Sequence, residues 1–231
     1  MRPADIPGGM EMMAPGVSTL PLEFEHEGSM RSIWPAAVAI ETGVVLVDTG
    51  FPDTVSELES QLEMAGFGFD QVELIVITHQ DIDHAGGLEA VKRHSGAPVL
   101  AHTDDAPYIA GDRDLKGSFG GYTPVPVDIE LVDGVTIRTS VGPMRVVATP
   151  GHTPGHVSLY LPEEHLLLAA DAITAEAAFD GPNEDATLDM DAAVESIGRL
   201  AELDVERTLC FHGGVVEHDA ERISTIYEAL R

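Results

Sequence analysis

The chain has 231 residues, 44% of them apolar, with 40 acidic against 12 basic side chains and a formal charge of −28. That length and apolar share suit one compact domain with a substantial core and exclude wholesale disorder, and no apolar run is long enough to cross a bilayer. So acidic a chain, with no basic stripe able to displace phosphate counterions, argues against nucleic acid as a partner.

Residues 1–19, rich in Met, Pro and Gly, read as a loose arm or a loop laid over the surface. Their opening, "MRPADIPGGMEMMAPG", has no basic segment ahead of an apolar stretch, so no signal peptide and a cytoplasmic location are expected. "AAVAI" (36–40) and "VVLVD" (44–48), separated by "ETG", predict a hairpin-like pair of strands. In "PDTVSELESQLEMAG" (52–66), Val55, Leu58, Leu62 and Ala65 recur at helical spacing, with Gly66 as a C-terminal stop. "VELIVIT" (72–78) is a short apolar run of the kind found in strands covered on both faces. "AGGLEAVKRHSG" (85–96) predicts a helix and "PVLAH" (98–102) another strand. Gly and Pro crowd residues 103–126, which predict irregular structure at a pocket rim.

"IELV" and "VTIRTS" flank "DG", and "MRVVATPG", "HVSLYL" and "HLLLAAD" continue a succession of strands. "TLDMDAAVESIGRLAELD" (187–204) predicts an amphipathic helix, "RTLCFHGG" a strand, and the chain from about His218 a final helix. Strands mixed with helices, without internal repeat or biased linker, predict one α/β or α+β domain over 1–231 with layered sheets.

The charge skew lies in sign rather than amount, since 23% charged residues is ordinary and only Lys92 and Lys116 are lysines. A surface that repels itself gains from screening, so adaptation to a salt-rich cytoplasm is expected. Cys210 is the only cysteine, which excludes an intrachain disulfide.

The chemistry gathers where apolar runs end. "ITHQDIDHAGG" (77–87) places His79, Asp81, Asp83 and His84 within six positions after a predicted strand. Imidazole nitrogens and carboxylate oxygens together suit divalent zinc, manganese or ferrous iron. One loop leaves a coordination shell incomplete, and others supply candidates: His152 and His156 in "TPGHTPGH" (149–156), Asp171 at the end of "LLLAAD", and His212 in "CFHGG". A charge ending an apolar run, as at Asp171, calls for a partner. Four such loops predict one metal site at the edge of a sheet.

This order and spacing resemble the metallo-β-lactamase-fold superfamily, whose signature is H-x-H-x-D-H, a distant His, a bridging Asp and a last His. The match runs from residue 79 to 212, with "LVDTG" (46–50) matching an earlier motif. The resemblance implies an αββα sandwich. It also implies that His79, Asp81 and His152 hold one metal and Asp83, His84 and His212 a second, with Asp171 bridging. Asp48 becomes a residue that orients the ligands. Asp81 departs from the family, where histidine is usual; flavodiiron proteins carry glutamate there. A third carboxylate makes the centre more neutral, acidifies bound water less, and brings iron or manganese beside zinc.

The family mechanism implied is a hydroxide shared by two divalent ions attacking a small ester, lactone, thioester or amide-like substrate, with Asp83 carrying the proton to the leaving group. Tyr108, Tyr122 and Tyr160 are candidates for stabilising the developing oxyanion. With 19 residues after His212, the extra helical domain of glyoxalase II enzymes is not expected, nor is a flavodoxin-like domain. Two alternatives stand: a mononuclear non-haem iron oxidoreductase of the persulfide dioxygenase type, and a non-catalytic metal-binding protein. No membrane partner is expected, and oligomeric state stays open. His26, His94, His102, His165 and His218 read as surface or packing residues, Cys210 as a buried thiol, and His156 as a support outside the ligand set. Trp34, Phe119, Met10, Met12 and Met13 suit a pocket or the core equally.

Overall fold

The computed structural model describes residues 10–26, 28–115, 121–218 and 221–231. In chain order the first strands are β1 (Met12–Ala14), β2 (Val17–Thr19), β3 (Leu22–His26), β4 (Ser29–Ile33), β5 (Ala36–Ala39) and β6 (Val44–Val47). Helix α1 (Val55–Met64), β7 (Val72–Val76), α2 (Ile82–Ala85), α3 (Leu88–Ser95), β8 (Val99–His102), α4 (Ala106–Ile109) and β9 (Ile129–Leu131) follow. The second half contains β10 (Thr136–Thr139), β11 (Gly142–Ala148), β12 (Val157–Leu161), β13 (Leu166–Ala170), α5 (Met190–Leu200), β14 (Arg207–Cys210), β15 (Gly214–Glu217) and α6 (Arg222–Leu230).

These strands form a seven-stranded sheet, β1-β2-β5-β6-β7-β8-β9, a six-stranded sheet, β10 to β15 in order, and the separate hairpin β3-β4. Alternation along the strands dictates the layering. In β6, Val44 and Leu46 face a core shared with Leu58 and Leu62 of α1 and Leu88 and Val91 of α3, while Val45 and Val47 face the other sheet. In β13, Leu166 and Leu168 enter that inter-sheet core, and Leu167 and Ala169 meet Ile197 and Leu200 of α5 and Ile223 and Ile226 of α6. Continuous apolar runs therefore mark strands buried on both faces, and the architecture is the expected αββα sandwich.

Several expectations are corrected. Of the loose arm expected over 1–19, residues 1–9 lie outside the described residues and 10–19 are not loose: β1 and β2 extend the seven-stranded sheet, Val17 pairs with Val38, and Met13, Ala14 and Val17 are buried between the sheets. Their Met- and Pro-rich composition hides a short hairpin turning at Pro15–Gly16. The helix expected over 85–96 is α3, starting at Leu88 rather than Ala85, and a short unexpected helix, α2, precedes it; the chain between them, at Gly86–Gly87, runs against the segment that follows β6. A Cβ on Gly87 would lie 2.4 Å from the Thr49 carbonyl oxygen. The strands expected on either side of "DG" form as β9 and β10, and the chain crosses there from one sheet to the other. "RTLCFHGG" holds the expected strand, β14, but leads into an unexpected hairpin partner, β15, so the last helix begins at Arg222 rather than His218. The β3-β4 hairpin has no counterpart among the expected elements.

Among the described residues, no helix is long and apolar enough to cross a membrane.

Candidate metal centre

The strand ends at one edge of the two sheets carry the polar residues. Asp48 follows β6, the segment 79–84 follows β7, His152 follows β11, Asp171 follows β13 and His212 follows β14. Parallel pairing of β6 with β7 and of β13 with β14 puts their C-terminal ends on the same side, so residues far apart in sequence meet there.

All seven residues expected as ligands converge. His79, His152 and Asp171 offer donor atoms within 4.8 Å of one another, as do Asp83, His84 and His212. Asp81 joins the first set: its Oδ2 lies 3.1 Å from His152 Nε2 and 3.6 Å from His79 Nε2. Asp171 stands between the sets, 3.5 Å from His152 Nε2 and 3.4 Å from His212 Nε2 through Oδ2, and 3.1 Å from His84 Nε2 through Oδ1. Asp83 Oδ2 is 3.1 Å from His212 Nε2.

Burial disfavours charge on Asp81, Asp83, His84, His152, Asp171 and His212, and their mutual attraction overcomes it. Hydrogen bonds from His152 and His79 hold the buried Asp81 below the usual carboxylate range. Against the same burial, His84 and His212 lower Asp83, and His212, His84 and His152 hold Asp171 well below it. Conversely, Asp171, Asp48 and Asp83 raise His84 despite burial, and Asp171 and Asp81 raise His152. His212, also opposed by burial, is pushed up to about 10, chiefly by Asp171 and Asp83.

A divalent cation fits this donor set. His79 Nε2, His84 Nε2, Asp81 Oδ1 and Asp171 Oδ1 are buried without a hydrogen-bond partner. His84 Nε2 and Asp171 Oδ1 lie 3.1 Å apart, close enough to share one cation between them.

The supporting residues set which nitrogen faces inward. Asp48, at φ 63°, accepts the Thr78 N–H through Oδ1 at 2.8 Å and pairs with His84 Nδ1 through Oδ2 at 2.8 Å. The Thr78 hydroxyl donates to Asp48 Oδ2 at 2.8 Å and lies 3.1 Å from His79 Nδ1. Phe211 stacks on His84 with centroids 3.6 Å apart. His156 is fully engaged elsewhere: Nε2 accepts the Asp171 N–H at 3.0 Å and Nδ1 is 2.8 Å from the Thr149 hydroxyl. Burial holds it well below the ordinary histidine range, hence neutral.

Asp105 was not foreseen. It follows β8 at the same sheet edge, fully buried, and accepts from the Gln80 N–H, the Thr153 hydroxyl and the Gly155 N–H. Burial pushes its carboxyl above the usual range, against these donors. Unlike Asp48 and Asp171, Asp105 does not come directly after its strand, since Thr103 and Asp104 intervene, so the sequence carried no comparable signal. Of the three tyrosines, Tyr122 reaches the site, donating to the Gln80 carbonyl at 2.8 Å, whereas Tyr160 donates to the Asp204 carbonyl beyond the opposite helices. Tyr108 is buried in α4. Trp34 packs between the sheets with Met13, and Cys210 lies in the core beneath α5 and α6. Met12 is exposed, and Phe119 lies outside the described residues.

The family model of the metallo-beta-lactamase superfamily matches residues 34–212. The chain belongs to this superfamily. Its relatives include a probable metallo-hydrolase, YflN, of Bacillus subtilis, 31% identical over 73% of this chain and 75% of that protein. An N-acyl homoserine lactonase of Bacillus thuringiensis is 27% identical, covering 81% of this chain and 82% of the lactonase. A hydroxyacylglutathione hydrolase of Cereibacter sphaeroides is 28% identical over 74% of this chain, but the match spans only 56% of that enzyme. Among solved structures, a metallo-beta-lactamase from Pontibacter korlensis superposes with a TM-score of 0.78 at 22% identity, covering 96% of this chain and 97% of the other, a likeness of fold. The superfamily member described here is a metal-dependent hydrolase of this fold.

Proposed function

We propose that the centre holds two divalent cations, zinc or, given the third carboxylate, iron or manganese, and hydrolyses a small neutral acyl compound: a lactone, ester, thioester or amide-like molecule. The observation that carries this reading is the convergence of His79, Asp81, His152, Asp83, His84, His212 and Asp171, with buried inward atoms that lack hydrogen-bond partners. In it, His79, Asp81 and His152 serve one cation, Asp83, His84 and His212 the other, and Asp171 both. Cations bound there would act as Lewis acids that polarise an acyl oxygen and acidify water.

The chain supplies the rest. Asp48 holds the proton of His84 on Nδ1, leaving Nε2 free to ligate, and Thr78 does the same for His79. Asp83, partly exposed at the mouth, takes the proton of the attacking water on its carboxylate and passes it to the leaving oxygen, sulfur or nitrogen. A formal charge of −28 disfavours anionic substrates approaching the mouth. The match to 82% of the lactonase, against 56% of the hydroxyacylglutathione hydrolase, supports lactones as the first class to assay. The same charge supports adaptation to a salt-rich cytoplasm.

One observation favours a second reading. His79, His152 and Asp81 form a two-histidine, one-carboxylate set suited to a single ferrous ion and oxidative chemistry. Elemental analysis of protein purified in high salt without added metal tests both. Nearly two zinc or manganese per chain, with lactone hydrolysis abolished by a chelator and restored by metal, is the expected result. About one iron per chain, with dioxygen consumed in the presence of a persulfide, would overturn the hydrolytic reading.

A further inference from the structure

We propose that Asp105 and Tyr122 are positioning residues that clamp the backbone on both sides of Gln80 and thereby draw the short Asp81 side chain into the first metal cluster. The inference rests on the two-metal reading above and concerns how this chain makes a carboxylate serve where its family usually has histidine.

A carboxylate reaches less far from its Cα than an imidazole Nε2, so a backbone placed for histidine would leave aspartate short. Asp81 also has a competing local use. It is the N-cap of α2, where an aspartate ordinarily accepts from the first backbone N–H groups of the helix. It makes no such bond; its Oδ2 turns instead to within 3.1 Å of His152 Nε2. Something other than the helix start fixes its direction.

The neighbouring peptide groups show what does. The Gln80 N–H donates to Asp105 Oδ2 at 3.0 Å, and the Gln80 carbonyl, in the peptide bond leading to Asp81, accepts from the Tyr122 hydroxyl at 2.8 Å. The backbone between His79 and Asp81 is thus held at both ends. Asp105 is the N-cap of α4 and likewise forgoes capping. Its remaining capacity goes to the other ligand loop, accepting from the Thr153 hydroxyl and the Gly155 N–H, each at 2.7 Å. Gly155 is required for that approach, since a Cβ there would lie 2.4 Å from the Asp105 nitrogen. One fully buried carboxylate therefore ties the loop of His79 and Asp81 to the loop of His152, setting the span across which Asp81 meets His152.

The test is calorimetric titration of the metal-free full chain with zinc in high salt. Compared are wild type, Asp81→Ala, Asp105→Asn, Tyr122→Phe, and each of the last two combined with Asp81→His. Asp81→Ala identifies which binding step belongs to the first cluster. Asp105→Asn and Tyr122→Phe are expected to weaken that step by about 10–100-fold, leaving the other step unchanged. Asp81→His, whose longer side chain does not need the clamp, is expected to restore it. Should Asp105→Asn fail to fold, Tyr122→Phe, which removes one hydroxyl, decides alone with its Asp81→His partner. Wild type taking two ions while both single variants bind as wild type would overturn the clamp. So would equal weakening of both steps without rescue by Asp81→His. Wild type taking a single ion would overturn the two-metal reading itself, and the clamp with it.

Discussion

Asp48 Oδ2 lies 2.8 Å from His84 Nδ1, and both residues are buried where the first sheet ends. The pair joins a residue just after β6 to one in α2, the short helix that follows β7, and it decides which imidazole nitrogen faces the other ligands. Asp48→Ala would leave the His84 ring and the Thr78 N–H and hydroxyl without their acceptor. Loss of such an outer partner typically costs 10–100-fold in metal affinity. Competition with a chelator should show that loss for Asp48→Ala; an unchanged affinity would mean that Phe211 stacking and the Thr78 hydroxyl, 3.2 Å from His84 Nδ1, suffice to orient the ring.

The metal-free and metal-loaded proteins should respond to pH in opposite ways. His212 is raised from 6.5 to about 10, so its ion pairs contribute fully below 6.5 and are lost as pH rises through 10. Asp171 is held well below its ordinary 3.8, so its contribution is present above 3.8 and lost only as pH falls beneath it. Metal-free protein should therefore be most stable between these values and weaken on the alkaline side. Ligation needs deprotonated histidines, so metal binding tightens over that same alkaline range. Calorimetry with and without chelator should find the gap in Tm widening from pH 6 to pH 9; a constant gap would contradict the charged state assigned to these histidines.

Salt should stabilise the fold. With 40 acidic and 12 basic residues, repulsion among surface carboxylates is screened as the Debye length shortens from about 30 Å at 0.01 M to about 3 Å at 1 M. Tm is expected to rise continuously over that range of potassium chloride. A fall with added salt would refute adaptation to high salt.

Adjacent methionines in β1 should behave differently. Met13 is 3% exposed between the sheets, whereas Met12 is 66% exposed. Met13→Ala should cost about 2–5 kcal/mol by the usual cavity penalty, and Met12→Ala less than about 0.5 kcal/mol. Equal, negligible losses in urea titration would restore the loose-arm reading of this segment.

Much of this protein was decided by its sequence. Apolar runs such as "LLLAA" announced strands buried on both faces, because only a strand between two packed layers can afford no polar residue on either side. The candidate ligands were legible for the complementary reason: His79, Asp171 and His212 each interrupt or end an apolar run where an unpaired polar group would be costly. Asp48 could be assigned its supporting place from its motif. Other features had no local signature. The strands at 12–14 and 17–19 are short and lie next to Pro and Gly, and only pairing with β5 makes them regular. Whether "DG" turns a hairpin or crosses between sheets depends on which partner each flanking strand finds. Asp105 looked like an ordinary loop residue, and nothing set Tyr122 apart from Tyr108 and Tyr160, since their partners at Gln80, Thr153 and Gly155 lie 25 to 50 positions away. Local chemistry decides which residues are able to ligate, but the distance between loops, and so whether an aspartate can stand where a histidine is usual, is set by hydrogen bonds that exist only once the two sheets have packed.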